Sequence, residues 1–373
     1  MKRKKFFINI LREVKYFIFN FIYGKVKKIK NVKDFKQIYV KKIIFDKRHK
    51  YNFYKIPNGC LYTDTIHDAA YLIKNCLIKE PSFQYRHKKE NLKIYNSHIK
   101  ENIVIKKGFS TNRKIFNRNI FSLLSGGAGK NNYWHWLFDV LPRIGILEKS
   151  NFSLKSQYYL LPSLSKKFQL ESLLSLNIPQ RYLLDGEKMR HFSSNNLMCV
   201  DHPVVLNNDP SKSINNIPLW IIYWLRKKYL KRKTKNVNFP KKILINREED
   251  SNLKSRKIIN TNQVKNILEK NGYKSVTLSK LNINKQIMLF NNAKIIIGLH
   301  GAGFANIIFS KKGTKVIEIK TKNNGDAILH LARKCKLNYK KIVEKNASKI
   351  LPFQGGDLSV DLIKLEKLIV GLK

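Results

Sequence analysis

The run IIIGLHGAGFANIIF, residues 295–309, constrains this chain more than any other. Ile295, Ile296, Ile297, Gly298 and Leu299 lead straight into His300, Gly301, Ala302 and Gly303, and a second apolar stretch from Phe304 to Phe309 follows at once. A continuous apolar run closed by glycine reads as a strand of a parallel sheet, buried on both faces. Glycines just after such a strand let the backbone turn tightly and let another group come close. The residues beyond read as the start of a helix, whose free N–H groups favour anions. The segment therefore reads as a strand–loop–helix phosphate cradle with a histidine at its mouth. It is not the dinucleotide pattern G-x-G-x-x-G, because Asn306 fills the third glycine place. A tight turn between buried elements is the competing reading.

The surroundings extend this pattern. Ile243 to Asn246 reads as a strand, and Asn260 or Thr261 can cap a helix carrying Val264, Ile267 and Leu268 that Gly272 ends. Ser275–Leu278 is a further strand, Ile283–Asn292 a helix and Lys315–Ile319 a strand. Strands alternating with helices give a parallel sheet covered by helices, whose ligands sit at the carboxyl ends of the strands. Arg247, His300 and Glu318 fall at or near such ends. Upstream, residues 218–230 read as a helix with Pro218 in its first turn, and the polar, charged stretch 231–242 is the best linker. Tyr158–Pro162, Tyr182–Leu184 and Leu197–Val200 read as strands, and Ser165–Leu176 as a helix. Residues 31–125 show only short strand-like runs, at Gln37–Val40, Ile103–Ile105 and Ile115–Leu124. With 373 residues the chain is long enough for two domains. The expected division is a basic amphipathic helix over 1–30, an N-terminal domain over 31–235 and a C-terminal domain over 236–373.

A formal net charge of +49 calls for anionic partners: nucleic acid, anionic lipid or phosphorylated substrates. Lysine is spread through loops and elements alike, with no arginine-rich tail and no aromatic RNA-binding pattern, so nucleic acid is not expected as a partner. Cys60, Cys76, Cys199 and Cys335 are scattered and form no C-x-x-C pair. This suggests neither a zinc ribbon nor a disulfide framework and fits a cytoplasmic protein. The first residues are basic, and Phe6, Phe7, Ile10, Val14, Phe17, Ile18, Phe21 and Ile22 then recur at helical spacing. Arg12, Glu13 and Lys15 interrupt the run, so it is not a clean signal peptide, and it falls short of the roughly 20 uninterrupted apolar residues that a span requires. It reads as a helix lying on an anionic membrane surface, peripheral on the inner face of the plasma membrane; a helix packed on its own domain is the alternative.

Chemistry-bearing residues cluster in NYWHWLFDVLPRIGIL, residues 132–147. His135, Asp139 and Arg143 are spaced i, i+4, i+8 and share one helical face amid Trp134, Leu137, Phe138 and Leu141. Burying such a row without partners is costly. In one reading Asp139 and Arg143 are a structural ion pair. In the other, the row lines a cleft and His135 or Asp139 takes a proton from a reacting hydroxyl, with Arg143 in support. The upstream GGAGK resembles a phosphate loop but lacks its first glycine and its Ser/Thr, so it is set aside. Arg247 ends a strand and Arg256 precedes a helix, where arginines suit bidentate binding of a diphosphate. Glu248, Glu249 and Asp250 read as a solvated turn rather than a metal motif.

Three blocks in order resemble glycosyltransferase family 61: NYWHWLFDVLPRIGIL, ILINREED…SRKIIN, and QIMLFNNAKIIIGLHGAGFANIIFSKKGTKVIEI. The resemblance covers roughly residues 100–340. One departure is Thr261, where the family usually has an acidic residue. The resemblance implies an α/β fold of two Rossmann-like domains, of GT-B type. It implies an inverting hexosyl- or pentosyltransferase that moves a sugar from a nucleotide-sugar to a glycan or lipid-linked acceptor, in capsular or surface polysaccharide synthesis. His135 or Asp139 would be the base. Arg247, Arg256, His300, Gly301, Ala302, Gly303, Asn306 and Glu318 would bind the donor, Glu318 through ribose hydroxyls. No D-x-D motif is present, so neither a metal nor another cofactor is expected. The alternative function is a non-catalytic, membrane-associated binding protein for polyanionic glycan or lipid.

Overall fold

The apolar runs of the C-terminal part build a five-stranded sheet in which every pairing is parallel. Its strands are Lys242–Asn246, Lys274–Thr277, Ile295–Leu299, Lys315–Thr321 and Asn338–Glu344. They lie in the order second, first, third, fourth, fifth. The chain order therefore reverses between Lys242–Asn246 and Ile295–Leu299. At such a point the loops leave toward opposite faces and open a crevice beyond the carboxyl ends. Ile295, Ile297 and Leu299 pack with Val264 and Leu268 of helix Thr261–Lys270 and with Leu365 and Ile369 of helix Leu362–Val370. Successive side chains of a strand point to opposite faces, so Ile296, also fully buried, belongs to the other side. There helix Ile283–Asn292 packs on a 3-10 segment, Ala302–Phe309.

The structure is a computed structural model and describes residues 2–63, 67–87, 94–124, 127–153, 157–204, 214–230, 238–247, 256–347 and 356–371. It is mixed α/β and sorts into two compact units, one drawn from residues 1–88 and 94–211, the other from 212–373. Helix Leu219–Tyr229 goes with the second unit, where Arg226 donates to the carbonyls of Ile308 at 2.9 Å and Ser310 at 3.1 Å. Residues 231–237 of the linker and the acidic turn Glu248–Asp250 lie outside the described residues.

The first unit is built on a twelve-stranded mixed sheet. Its central strand, His191–Val200, runs parallel to Lys114–Ser122 and antiparallel to Lys50–Pro57 and Cys60–Tyr62. Gln157–Leu161 and Leu183–Asp185 continue the parallel half. Two sequence expectations are corrected here. Ile103–Ile105 lies in a short helix, Ile103–Lys106, because the Asn102 side chain accepts the Val104 N–H at 3.2 Å and caps it. Tyr182 closes a 3-10 turn, so the strand starts at Leu183. The N-terminal segment is a helix, Lys2–Tyr23. No helix among the described residues is long and apolar enough to cross a membrane.

Candidate functional site

In the first unit the chemistry sits on the segment that follows strand Lys114–Ser122. Asn132 opens it by accepting the Trp134 N–H at 2.9 Å. One helical turn, Tyr133–His135, widens into a π-turn over Trp136–Val140 before a regular helix, Pro142–Lys149, begins. Proline explains the widening: Pro142 has no N–H to give, and its ring crowds the carbonyl four residues back. Leu141 donates instead to Trp136, five residues back, at 3.0 Å. Such bulges recur at functional sites because they re-aim side chains. Trp136, Leu137 and Phe138 are fully buried and anchor the turn, with the Trp136 indole N–H donating to Ser172 Oγ at 2.9 Å.

The anchored turn sets His135 Nδ1 2.6 Å from Asp139 Oδ2. His202 reaches the same oxygen, its Nε2 at 4.0 Å. The hydrogen-bond network assigns both rings. His202 Nδ1 accepts the Val204 N–H at 3.2 Å, so its proton sits on Nε2, toward Asp139. His135 donates from Nδ1, which leaves its Nε2 as the lone-pair nitrogen. Side-chain exposure is 24% for His135 and 15% for Asp139, so the imidazole is the more open of the two. Burial pushes the Asp139 carboxyl up, but His135 beside it, then His202 and Arg143, hold it below its usual value and ionised. Burial pushes His202 down to about 3, against the pull of Asp139.

Arg143 does not form the ion pair that the sequence allowed. Its Nε donates to the backbone carbonyl of Asp139 at 3.2 Å and its Nη1 to that of Val200 at 2.9 Å. It ties the helix to the end of strand His191–Val200 and acts on the Asp139 carboxylate only through space. His202 was missed in the sequence. The available signal was Asp201-His202-Pro203 directly after the apolar run Leu197–Val200, a strand end like those weighed elsewhere. Lys130, of the rejected phosphate loop, pairs with Glu187.

In the second unit the chemistry sits at the reversal of strand order. Arg247 leaves strand Lys242–Asn246 and its Nη1 donates to the His300 carbonyl at 2.6 Å, spanning the two adjacent strands. Gly301 makes this possible: a Cβ there would lie 2.5 Å from Arg247 Nη1. His300 Nδ1 is hydrogen-bonded to Glu318 Oε1, and Glu318 Oε2 accepts from the Tyr339 hydroxyl. Glu318 is 0% exposed with both oxygens engaged, so it orients His300. Burial lowers the His300 pKa; Glu318 opposes this, and Arg256 and Lys320 reinforce it. Burial, with Arg247 beside it, brings Arg256 down to about 10. The two arginines also border a cavity of about 30 Å³, room for little more than water, lined further by Asn246, Thr261 and Leu299.

The structure thus brings Arg247, Arg256, His300 and Glu318 together, with Lys320 as an addition. Gly301, Ala302 and Gly303 form a half-exposed turn beside them, and a 3-10 helix rather than an α-helix follows. Asn306 is fully buried behind that turn, donating to Gln286 Oε1 at 3.1 Å and the Gly303 carbonyl at 3.3 Å. Gln286 in turn donates to the Leu278 and Leu281 carbonyls. These amides hold the turn in shape from behind. Among the described residues, no group of three or more His, Cys, Asp or Glu is arranged to hold a metal ion.

Residues 133–317 match the family model described as Glycosyltransferase 61. The matched stretch begins at the π-turn segment, includes His202, Arg247, Arg256 and the 300–303 turn, and stops one residue short of Glu318. The match supports a glycosyltransferase 61 assignment for this stretch. Compared with curated proteins, the chain gives no significant match.

Proposed function

We propose that this chain is an inverting glycosyltransferase of GT-B type that transfers a hexose or pentose from a nucleotide-sugar to a glycan or lipid-linked acceptor, in capsular or surface polysaccharide synthesis. The observation that carries the reading is the family match, because it takes in both histidine-centred clusters. The second unit takes the donor. Arg247 and Arg256, beside the 300–303 turn, neutralise the diphosphate as charge builds on it, and fixed cations of this kind stabilise a leaving group without reorganising. A divalent metal is not required in this reading. His300, held by Glu318 and kept from protonating by burial among cations, positions the donor as a neutral ring.

The first unit takes the acceptor. His135 is the base: with Nδ1–H on Asp139, its Nε2 takes the proton of the acceptor hydroxyl. The acceptor oxygen attacks the anomeric carbon from the face opposite the diphosphate, the C–O bond to the diphosphate breaks, and the configuration inverts. Asp139 orients the ring and stabilises the imidazolium that forms. His202 and Arg143 keep Asp139 ionised and in place. A thermal-shift screen of nucleotide-sugars, followed by transfer assays on the donors that raise the melting temperature, tests the function. If no nucleotide-sugar stabilises the protein and none is turned over, the proposal falls.

A further inference from the structure

The N-terminal helix Lys2–Tyr23 meets the first unit with the wrong face for a soluble helix. Glu13, Tyr16, Asn20 and Tyr23 recur at i, i+3, i+7, i+10 and form one stripe, and this polar and aromatic stripe is the docked one. Glu13 pairs with Lys107 at 2.7 Å, and Lys107 also sits over the Tyr16 ring. Asn20 donates to the Lys107 carbonyl at 2.7 Å and accepts the Phe109 N–H at 2.9 Å. Tyr23 bonds Asn112, receives the Arg113 N–H at 3.0 Å and stands edge-on to His191. Tyr16 is 3% exposed.

Phe19 packs on the first unit beside this stripe, but most of the apolar residues lie on the other side of the helix, in water. Phe17 is 76% exposed, Phe21 87%, Leu11 60% and Ile22 57%. A soluble helix does the reverse and buries its apolar stripe, and a contiguous exposed apolar patch marks an interaction site. Charge identifies the occupant. Arg12, Lys15, Lys25, Lys27 and Lys28 are exposed on or just after the helix, and Lys2 to Lys5 precede the apolar run in sequence. An apolar face flanked by cations matches an anionic bilayer surface, where the apolar side chains enter the acyl boundary and the cations meet headgroups. A protein partner would need an acidic rim around an apolar groove of helical length.

We propose that this helix holds the chain on an anionic membrane surface in a fixed orientation, the lipid taking the apolar face while the Glu13–Tyr16–Asn20–Tyr23 stripe locks the opposite face to the first unit. The proposal does not rest on glycosyl transfer and is tested without substrate. The full chain is floated with vesicles of phosphatidylglycerol and phosphatidylcholine, and with phosphatidylcholine alone. The expected result is flotation with the anionic vesicles, weakened by high salt, and at least about tenfold weaker binding for Phe17→Glu with Phe21→Glu. That double variant keeps its melting temperature, because both positions are solvent-exposed. Asn20→Ala probes the lock: flotation persists while the melting temperature drops by about 2–4 °C. Absent flotation, or flotation indifferent to the Phe17 and Phe21 changes, overturns the membrane face. A dimer that the same double variant dissociates, in a chain that binds no vesicles, overturns it in favour of a second copy. An unchanged melting temperature in Asn20→Ala overturns the fixed orientation.

Discussion

The candidate cluster in each unit is centred on a histidine hydrogen-bonded through Nδ1 to a carboxylate, and the two pairs are built in opposite ways. His135 and Asp139 are four residues apart on one widened helical turn, and both keep some exposure, 24% and 15%. His300 and Glu318 come from neighbouring parallel strands, and the carboxylate is completely closed off, its second oxygen taken by Tyr339. A proton-transferring pair needs one open nitrogen and a carboxylate that stays ionised while the ring changes charge. The first pair has both, since His135, His202 and Arg143 outweigh the burial of Asp139. A positioning histidine needs a fixed ring that keeps one charge state. The second pair has that, because burial, Arg256 and Lys320 all work against protonating His300. In the proposed reading the same hydrogen bond serves two purposes, and its surroundings decide which.

Breaking the first pair has the largest expected effect. His135→Ala lowers turnover per folded molecule by roughly 10²–10⁴-fold, with the affinity for nucleotide diphosphate unchanged. Asp139→Asn follows in the same direction. Full activity in both variants, measured by transfer assay alongside melting temperature, reduces the π-turn pair to scaffolding. Breaking the second pair acts on the fold first. Glu318→Ala leaves two partly buried donors, His300 and Tyr339, without their acceptor and costs about 2–6 kcal/mol of stability by denaturant unfolding, about 1–3 for each donor. A loss below about 1 kcal/mol means the second pair is as open as the first and the contrast fails.

The next effect sharpens the donor side. Arg256→Ala weakens UDP and related nucleotides by roughly 10- to 150-fold, the equivalent of about 1.5–3 kcal/mol for one charge-assisted contact. Turnover at saturating donor falls as well, because the same charge stabilises the leaving diphosphate. Calorimetric titration of the diphosphate reads this directly, and an unaltered Kd moves the donor site away from the strand-order reversal.

The contrast between the pairs also explains what could be read in the sequence. The C-terminal strands were legible because a parallel sheet buries each strand on both faces, so Ile295–Leu299 shows as an unbroken apolar run. The N-terminal sheet was not. Its antiparallel strands include pieces as short as Cys60–Tyr62 and Cys76–Ile78, and its central strand His191–Val200 is assembled from partners far away in the chain. His135 and Asp139 were legible because helical spacing brings i and i+4 together. The role of Glu318 was not, because its partners lie 18 and 21 residues away and only the register of three parallel strands brings them to it. The surroundings of Asn306 were hidden for a related reason: after a glycine turn, it reaches Gln286, 20 residues back in the chain.

The smallest effect concerns His202, the feature that the second cluster lacks: a further imidazole on the same carboxylate. Burial holds the folded-state pKa of His202 at about 3, against 6.5 for an ordinary histidine. Between these values the unfolded chain binds a proton at this ring and the folded chain does not. The unfolded state thus carries more protons, so stability rises with pH across this window and is lost on acidification. One such group accounts for a slope of at most about 1.4 kcal/mol per pH unit. His202→Asn removes that contribution and flattens the dependence of unfolding free energy on pH between about 4 and 6. His191, which burial brings down to about 4, behaves similarly but is present in both proteins and cancels in the comparison. Urea unfolding at several pH values gives the two slopes. Parallel slopes would mean that His202 is already protonated in the folded chain, an imidazolium paired with Asp139. The first carboxylate would then have an imidazolium beside it, and His202 would join Arg143 in holding charge rather than standing as a neutral ring.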